Sequence, residues 1–361
     1  MVLLSIPVTV FLCRIESKRG IKISQQEEDV IMRKLNIGLI GCGKITERSH
    51  IPEMLKLGSK IRIKALYDLN EKTASALKEQ FSLDCEICTS VDAMLGIKEL
   101  DGVIISTPNN THCELTLKAL EAGKNVLVEK PMAVSLKDAD KMIKAAEKKR
   151  LHLQVNQSLR FIPAYVKIKN LIDSGKIGQP LHIRCIRAGS SSPDKGWAPG
   201  SKWFTSKAHG GGIVMDIAVH MADMLGWYFG KVKSIYSLTK SRIDEKQATD
   251  NAISLFDFEN GASGVLELSW TIPTGAGMIE IYGTKGTIRM GSNGIELILP
   301  GKKKPQVIKP GKAKGSHQYF VDGISGKANV PSPLEIGRKS LAYCLAIEES
   351  GTSGKPVKPK L

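Results

Sequence analysis

Apolar positions follow two rhythms along this chain. Between 35 and about 155, short and wholly apolar runs alternate with stretches of helical spacing; beyond that, runs that alternate apolar and polar residues follow one another across short turns. The first rhythm opens with Leu35, Ile37, Leu39 and Ile40, a run with almost no polar face, which suits a strand buried on both sides of a parallel sheet. It stops at Gly41-Cys42-Gly43. Ile45, Met54, Leu55 and Leu57 then have helical spacing, predicting a helix over 44–57 with Pro52 as its weak point. The same reasoning predicts strands over 61–67, 83–89, 101–107, 125–128 and 151–155, and helices over 73–81, 91–95, 114–122 and 136–150, with Gly123 placed to end the third of these. Strand and helix in alternation specify an α/β, doubly wound parallel sheet, here a domain over 32–156.

The second rhythm begins with a helix over 160–174. Leu181, Ile183 and Cys185 then alternate with His182 and Arg184, as in a half-buried strand. A Gly/Ser/Pro-rich stretch over 189–207 carries Trp197 and Trp203, and Gly210-Gly211-Gly212 opens a helix reaching 229. Strands over 232–236, 251–258, 262–272, 277–282, 286–290 and 295–299 are separated by Gly, Asn and Pro turns, followed by a helix over 334–350 and a tail over 351–361. Consecutive strands on short turns predict an α+β domain over 157–350 with an open, mostly antiparallel sheet.

Composition adds bounds. Apolar residues at 42% and charged residues at 24% describe an ordinary globular protein with ample core. The formal net charge of +16, from 52 basic and 36 acidic residues, favours anionic ligands. The basic residues are scattered apart from 302–314, and no nucleic-acid motif accompanies them, so no specific nucleic-acid partner is expected. Seven dispersed cysteines, an odd number, fit a reducing cytoplasm. Cys85-Glu86-Ile87-Cys88 lacks a second pair and reads as structural, so no metal is expected. Residues 1–13 are apolar but short of the roughly 20 that span a membrane, and no basic segment or cleavage site marks a signal peptide. The first strand starts just after Met32. The expectation is therefore that 1–31 is a disordered extension or a mis-called start with Met32 as the native one, which N-terminal sequencing of protein from the native host would decide.

Candidate chemistry lies where predicted strands end. Gly41 permits a tight turn, Gly43 lets backbone approach a pyrophosphate, and the following helix directs free N–H groups and its positive end there. The full fingerprint is G-x-G-x-x-G/A, and its third position here is Thr46. Asp68 closes the second strand, placed to accept hydrogen bonds from ribose hydroxyls, to cap the next helix, or both. An acid there repels a 2′-phosphate, and Leu69 and Asn70 supply no cation for one, so NAD is expected over NADP. In the segment after Gly210, Asp216, His220 and Asp223 form one polar stripe at i, i+4 and i+7 on an otherwise apolar helix. Asp216 and His220 read either as a general base oriented by its carboxylate or as an ordinary helix pair. Asp223 reads as structural or surface.

These residues together resemble the Gfo/Idh/MocA oxidoreductases. The pieces are Gly41-Cys42-Gly43-Lys44-Ile45, Tyr67-Asp68, Ser106-Thr107-Pro108-Asn109 with His112, Glu129-Lys130-Pro131, Arg160-Phe161, Gly210-Gly211-Gly212 and Asp216-x-x-x-His220, in family order from about 33 to 350. The resemblance implies a Rossmann domain, an open-sheet domain over the site, and hydride transfer between a nicotinamide and a sugar, polyol or nucleotide sugar. It implies Lys130 as the group that polarises the reacting oxygen, His220 as general base and Asp216 as its orienting partner. Gly41, Gly43, Lys44, Ile45, Asp68, Thr107, Pro108, Asn109, His112 and Glu129 would contact the cofactor beside Lys130. Asn156, Arg160 and Trp203 are candidates for substrate contact or, equally, a turn asparagine, a helix-face arginine and a core tryptophan. Trp197 reads as a sugar platform or a contact with a neighbouring subunit. Lys195, Lys202 and Lys207 suggest a phosphorylated or nucleotide-linked sugar, or only a lysine-rich composition. A homodimer or homotetramer is expected. The alternative is an NAD-binding sensor without catalysis, against which the intact Lys130, Asp216 and His220 speak.

Overall fold

Six parallel strands carry the N-terminal half of the chain: β1 (Leu35–Ile40), β2 (Ile61–Tyr67), β3 (Glu86–Ile87), β4 (Gly102–Ile105), β5 (Asn125–Val128) and β6 (Leu153–Val155). They lie in the order β3-β2-β1-β4-β5-β6, as expected of a doubly wound sheet. The structure is a computed structural model and describes residues 33–245, 247–327 and 333–361. The expected extension over 1–31 and its Met32 start lie outside these. The wholly apolar runs are explained by burial on both faces. Leu39, Ile104 and Leu127 enter the core on one side of the sheet, and Ile40, Ile105 and Val128 enter the other. Each such side chain contributes about 1.5–3 kcal/mol through burial. Strand order reverses between β1 and β4, so the crevice for ligands opens beyond their carboxyl ends.

β3 is shorter than the predicted 83–89. Leu83 and Cys85 are buried, but only Glu86 and Ile87 pair with β2, so that run's apolar character comes from irregular chain packed on the core. Cys85 and Cys88 therefore flank the strand, and both are free thiols.

The second sheet holds β7 (Pro180–Ala188), β8 (Val232–Lys240), β9 (Asn251–Phe258), β10 (Ser263–Ser269), β11 (Ala276–Gly283), β12 (Gly286–Gly291), β13 (Gly294–Ile298) and β14 (Gln306–Ile308). Their order is β14-β13-β12-β11-β7-β10-β9-β8, antiparallel throughout except for β7 beside β10. Its inner face packs on the Val219–Phe229 helix, and the Pro333–Ser353 helix packs on that helix, on β8 and on β6. The pattern missed β14 and the Ser316–Ile324 helix. Phe320 and Val321 of that helix join the core beneath β1 and β2, so the chain returns to its first domain after completing the second sheet. Among the described residues, no helix is long and apolar enough to cross a membrane.

Candidate active site

The glycine turn after β1 is held by its neighbours. Gly41 has φ +95°, and a Cβ there would lie 2.4 Å from the Ser106 carbonyl oxygen, so only glycine fits. A Cβ on Gly43 would meet nothing within 4 Å, leaving open space where a pyrophosphate approaches. Thr46 is fully buried; its hydroxyl donates to the Gly41 carbonyl at 2.7 Å and lies 2.7 Å from Ser106 Oγ. The departure from the fingerprint thus tethers helix to loop with a hydrogen bond where a small residue would do so by close contact. Asp68 accepts the backbone N–H of Cys42 at 2.8 Å and of Asn70 at 2.9 Å, one on each oxygen, leaving further acceptor capacity for a ribose. Gly41, Gly43, Lys44, Asp68, Thr107 and Pro108 border a cavity of about 210 Å³. This arrangement fits the adenosine end of a dinucleotide.

A second cavity, of about 370 Å³, shares Ile45, Ser106, Thr107, Trp197, Trp203 and Phe204 with the first. It adds Asn109, Glu129, Lys130, Asp216 and His220, so residues of both domains meet in one cleft. Lys130 Nζ donates to Asp216 Oδ1 at 2.6 Å and to the Asp216 backbone oxygen at 2.9 Å, leaving its third proton for a ligand. Asp216 therefore pairs with Lys130 rather than orienting His220. Lys130 reaches it from the strand-five turn, and the buried carboxylate takes the full cation in preference to a neutral imidazole. His220 Nδ1 is buried and has no hydrogen-bond partner among the described residues. Burial first, then the charge of Lys130, hold the His220 imidazole well below its ordinary proton affinity; Glu129 opposes them, and Arg187 adds a smaller lowering effect. His220 is thus a neutral acceptor at physiological pH. Trp203 stacks on Phe204, with ring centroids 3.7 Å apart, and Trp197 meets Phe204 edge-on. Both tryptophans wall the cleft.

Other expected contacts resolve differently. Arg160 binds Asp223 through two hydrogen bonds of 2.7 and 2.8 Å and lies over the Trp227 ring; it borders neither cavity. Its guanidinium is satisfied within the fold, which also accounts for Asp223. Asn156 is buried and donates to Glu129 Oε1 at 2.5 Å, so it positions that carboxylate and does not border the cleft. His112 is fully buried, its ring nitrogens 2.8 Å from the Pro131 carbonyl and 2.9 Å from the Thr107 carbonyl. It clamps two cleft loops from behind. Asn109 lines the cleft and donates to the Gly210 carbonyl at 2.7 Å, joining the two domains. Glu129 lies 3.2 Å from His50 Nε2, and His50 Nδ1 lies 2.9 Å from His317 Nε2. Burial pushes the Glu129 carboxyl up, yet His50, Lys130 and Asn156 together bring it down to about 2.

Sequence reasoning missed Arg48 and Arg187, which border the Lys130 end. For Arg187 the signal was present: it continues the row Ile183, Cys185, Arg187 on one face of a strand. None of Lys195, Lys202 and Lys207 borders either cavity.

Comparison with known proteins follows the same division. A family model described as an oxidoreductase family with an NAD-binding Rossmann fold matches residues 35–157, and the GFO/IDH/MocA C-terminal domain matches 165–289. The 1,5-anhydro-D-fructose reductase of Ensifer adhaerens is 28% identical over 74% of this chain and 82% of its own. Inositol 2-dehydrogenase 3 of Saccharopolyspora erythraea is 27% identical over 90% of this chain and 95% of its own. Among solved structures, the WlbA dehydrogenase of Bordetella pertussis in complex with NADH and UDP-GlcNAcA superposes with a TM-score of 0.80 at 25% identity, covering 91% of this chain and 100% of that one.

Proposed function

The chain belongs to the Gfo/Idh/MocA oxidoreductases, and from that premise we propose that it moves a hydride between NAD and a secondary alcohol or ketone carbon of a sugar, polyol or nucleotide sugar. The observation that carries this reading is the single cleft in which Lys130, Asp216 and His220 meet beside the glycine turn. NAD, when bound, supplies the hydride acceptor. Lys130, held in place by its ion pair with Asp216, donates to the reacting oxygen and favours its alkoxide form. His220, neutral and desolvated, accepts the hydroxyl proton in oxidation and returns it in reduction. Asp68 would meet the ribose hydroxyls, which favours NAD over NADP. Relatives named as reductase and dehydrogenase of anhydrofructose and inositol support the substrate class.

The test is reduced-nicotinamide absorbance in the presence of NAD, and separately NADP, with a wide panel of sugars, polyols and nucleotide sugars. Tight NAD binding with no turnover of any of them would count against the reading.

We read the second sheet's outer face as the seat of a second copy of this chain. Leu238, Ile253 and Leu255 stand there side by side on β8 and β9, each about half exposed, which suits burial by an equivalent face. Leu238→Glu with Ile253→Glu is expected to lower the mass seen in sedimentation, whereas an unchanged mass opposes the assembly. A reducing, cytoplasmic location fits the six described cysteines, all free thiols.

A further inference from the structure

We propose that the substrate carries an anionic group, a carboxylate or a phosphate, and that Arg187 is the side chain that reads it. The inference rests on the reading above, because it names the substrate class of that same cleft.

Strand alternation puts Arg187 where it is. Along β7, Ile183 and Cys185 face inward and are buried in the core, and Arg187 is the next position in that row, where the strand reaches the cleft. Arg184, on the opposite face, is satisfied by Glu267 at 3.0 Å. The other charged groups at the Lys130 end are matched: Lys130 with Asp216, and Glu129 with His50 and Asn156. Arg187 and Arg48 are the exceptions, for neither guanidinium has a hydrogen bond or ion pair among the described residues. Both belong to the Lys130 end only, and neither borders the cavity around Asp68. Their charge is therefore not directed at the adenosine end of a dinucleotide.

A guanidinium presents its donors as a fork that matches carboxylate and phosphate oxygens in pairs. The aromatic wall of Trp197, Trp203 and Phe204 faces the same space and suits the apolar face of a sugar ring. The charge on Arg187 also bears on the chemistry. It is one of the cations that hold His220 below its ordinary proton affinity. An anion seated on Arg187 would offset this contribution alone, which is smaller than those of burial and Lys130.

The experiment uses the full chain and three hexoses, D-glucose, D-galactose and D-mannose, each as the neutral sugar, the uronate and the 6-phosphate. Binding to the NADH-loaded protein is read by saturation-transfer NMR and calorimetry, and turnover with NAD by absorbance. The expected result is selective binding and turnover of a charged form, with the uronate and phosphate arms distinguishing the two sources. Arg187→Met is expected to lower kcat/KM for that form, relative to its neutral counterpart, by about 10- to 100-fold, mainly through KM. Arg187→Lys, which keeps the charge without the fork, should restore part of the loss, and Arg184→Met should leave the ratio unchanged. Neutral sugars that bind and react as well as charged ones, equal losses on both in Arg187→Met, or binding of none of the nine would each overturn the proposal. Turnover of neutral sugars alone leaves the hydride-transfer reading intact. Arg187-dependent anion binding without any turnover has the opposite meaning: the anion site stands and the hydride-transfer reading fails.

Discussion

Lys130 and Asp216 illustrate what one residue can carry. They lie 86 positions apart and their side chains meet at 2.6 Å in a largely buried setting. Lys130→Met removes the donor aimed at the reacting oxygen and leaves a buried carboxylate without its cation. The first effect should lower kcat by about 10²- to 10³-fold. The second should destabilise the fold by roughly 3–5 kcal/mol, visible as an earlier denaturant midpoint. A variant that loses activity with an unchanged midpoint would show that Asp216 finds another partner. His220 gives a second expectation. Its imidazole is held well below the ordinary value of 6.5, so it becomes protonated, and useless as a base, only at lower pH. The acid limb of kcat/KM for alcohol oxidation should therefore fall below pH 6.5. A limb centred at or above 6.5 would place the base elsewhere. The sequence made these three residues legible because their types and spacing are chemical. It did not show which of them pair, because the i, i+4 rule sees only one helix and Lys130 arrives from another domain.

Elements were legible in proportion to how regular their backbone is. The strands at 125–128 and 251–258 match their apolar runs to the residue, because burial on a regular ladder writes itself as pattern. The two helices that present site residues are less regular. Thr46–His50 and Val214–Ala218 are π-turns, wider than the 3.6-residue period on which helix prediction rests. The Ser316–Ile324 helix went unread although His317, Phe320, Val321 and Ile324 have helical spacing, because glycines and lysines surround it. The glycines at the two π-turns support a paired prediction. Gly43→Ala meets open space, so its melting temperature should stay at the wild-type value while NAD affinity falls. Gly211→Ala would place a Cβ 2.4 Å from the Phe204 carbonyl oxygen and 2.5 Å from that of Trp203. The triglycine turn must then shift, carrying Asp216 and His220 with it. A displacement of about 1 Å is expected to lower kcat on the order of 10²-fold and to lower the melting temperature as well. Calorimetry and NAD titration on both variants separate the two outcomes.

At the scale of the whole molecule, one buried chain of side chains ties the last third of the sequence to the first domain. His317, on the Ser316–Ile324 helix, meets His50, and His50 meets Glu129 beside the reactive lysine. Burial and the neighbouring His50 charge, opposed by Glu129, bring the His317 imidazole down to about 3 from its ordinary 6.5. Below pH 6.5 the unfolded chain binds a proton at this position that the folded chain refuses until about pH 3. Stability from His317 is therefore complete above 6.5 and is lost as the pH falls toward 3. Glu129, held at about 2 against an ordinary 4.5, contributes stability that is present above 4.5 and lost on the way down to 2. The two slopes have the same sign, and their windows overlap below pH 4.5. Denaturant midpoints measured from pH 7.5 to 3.5 should fall first below pH 6.5 and more steeply below 4.5. His317→Gln, which cannot titrate, should make the upper window shallower, the remaining slope there coming from His220, His112 and His152, and leave the lower one. An unchanged upper window in that variant would mean that His317 is not the group that couples the returning helix to acid.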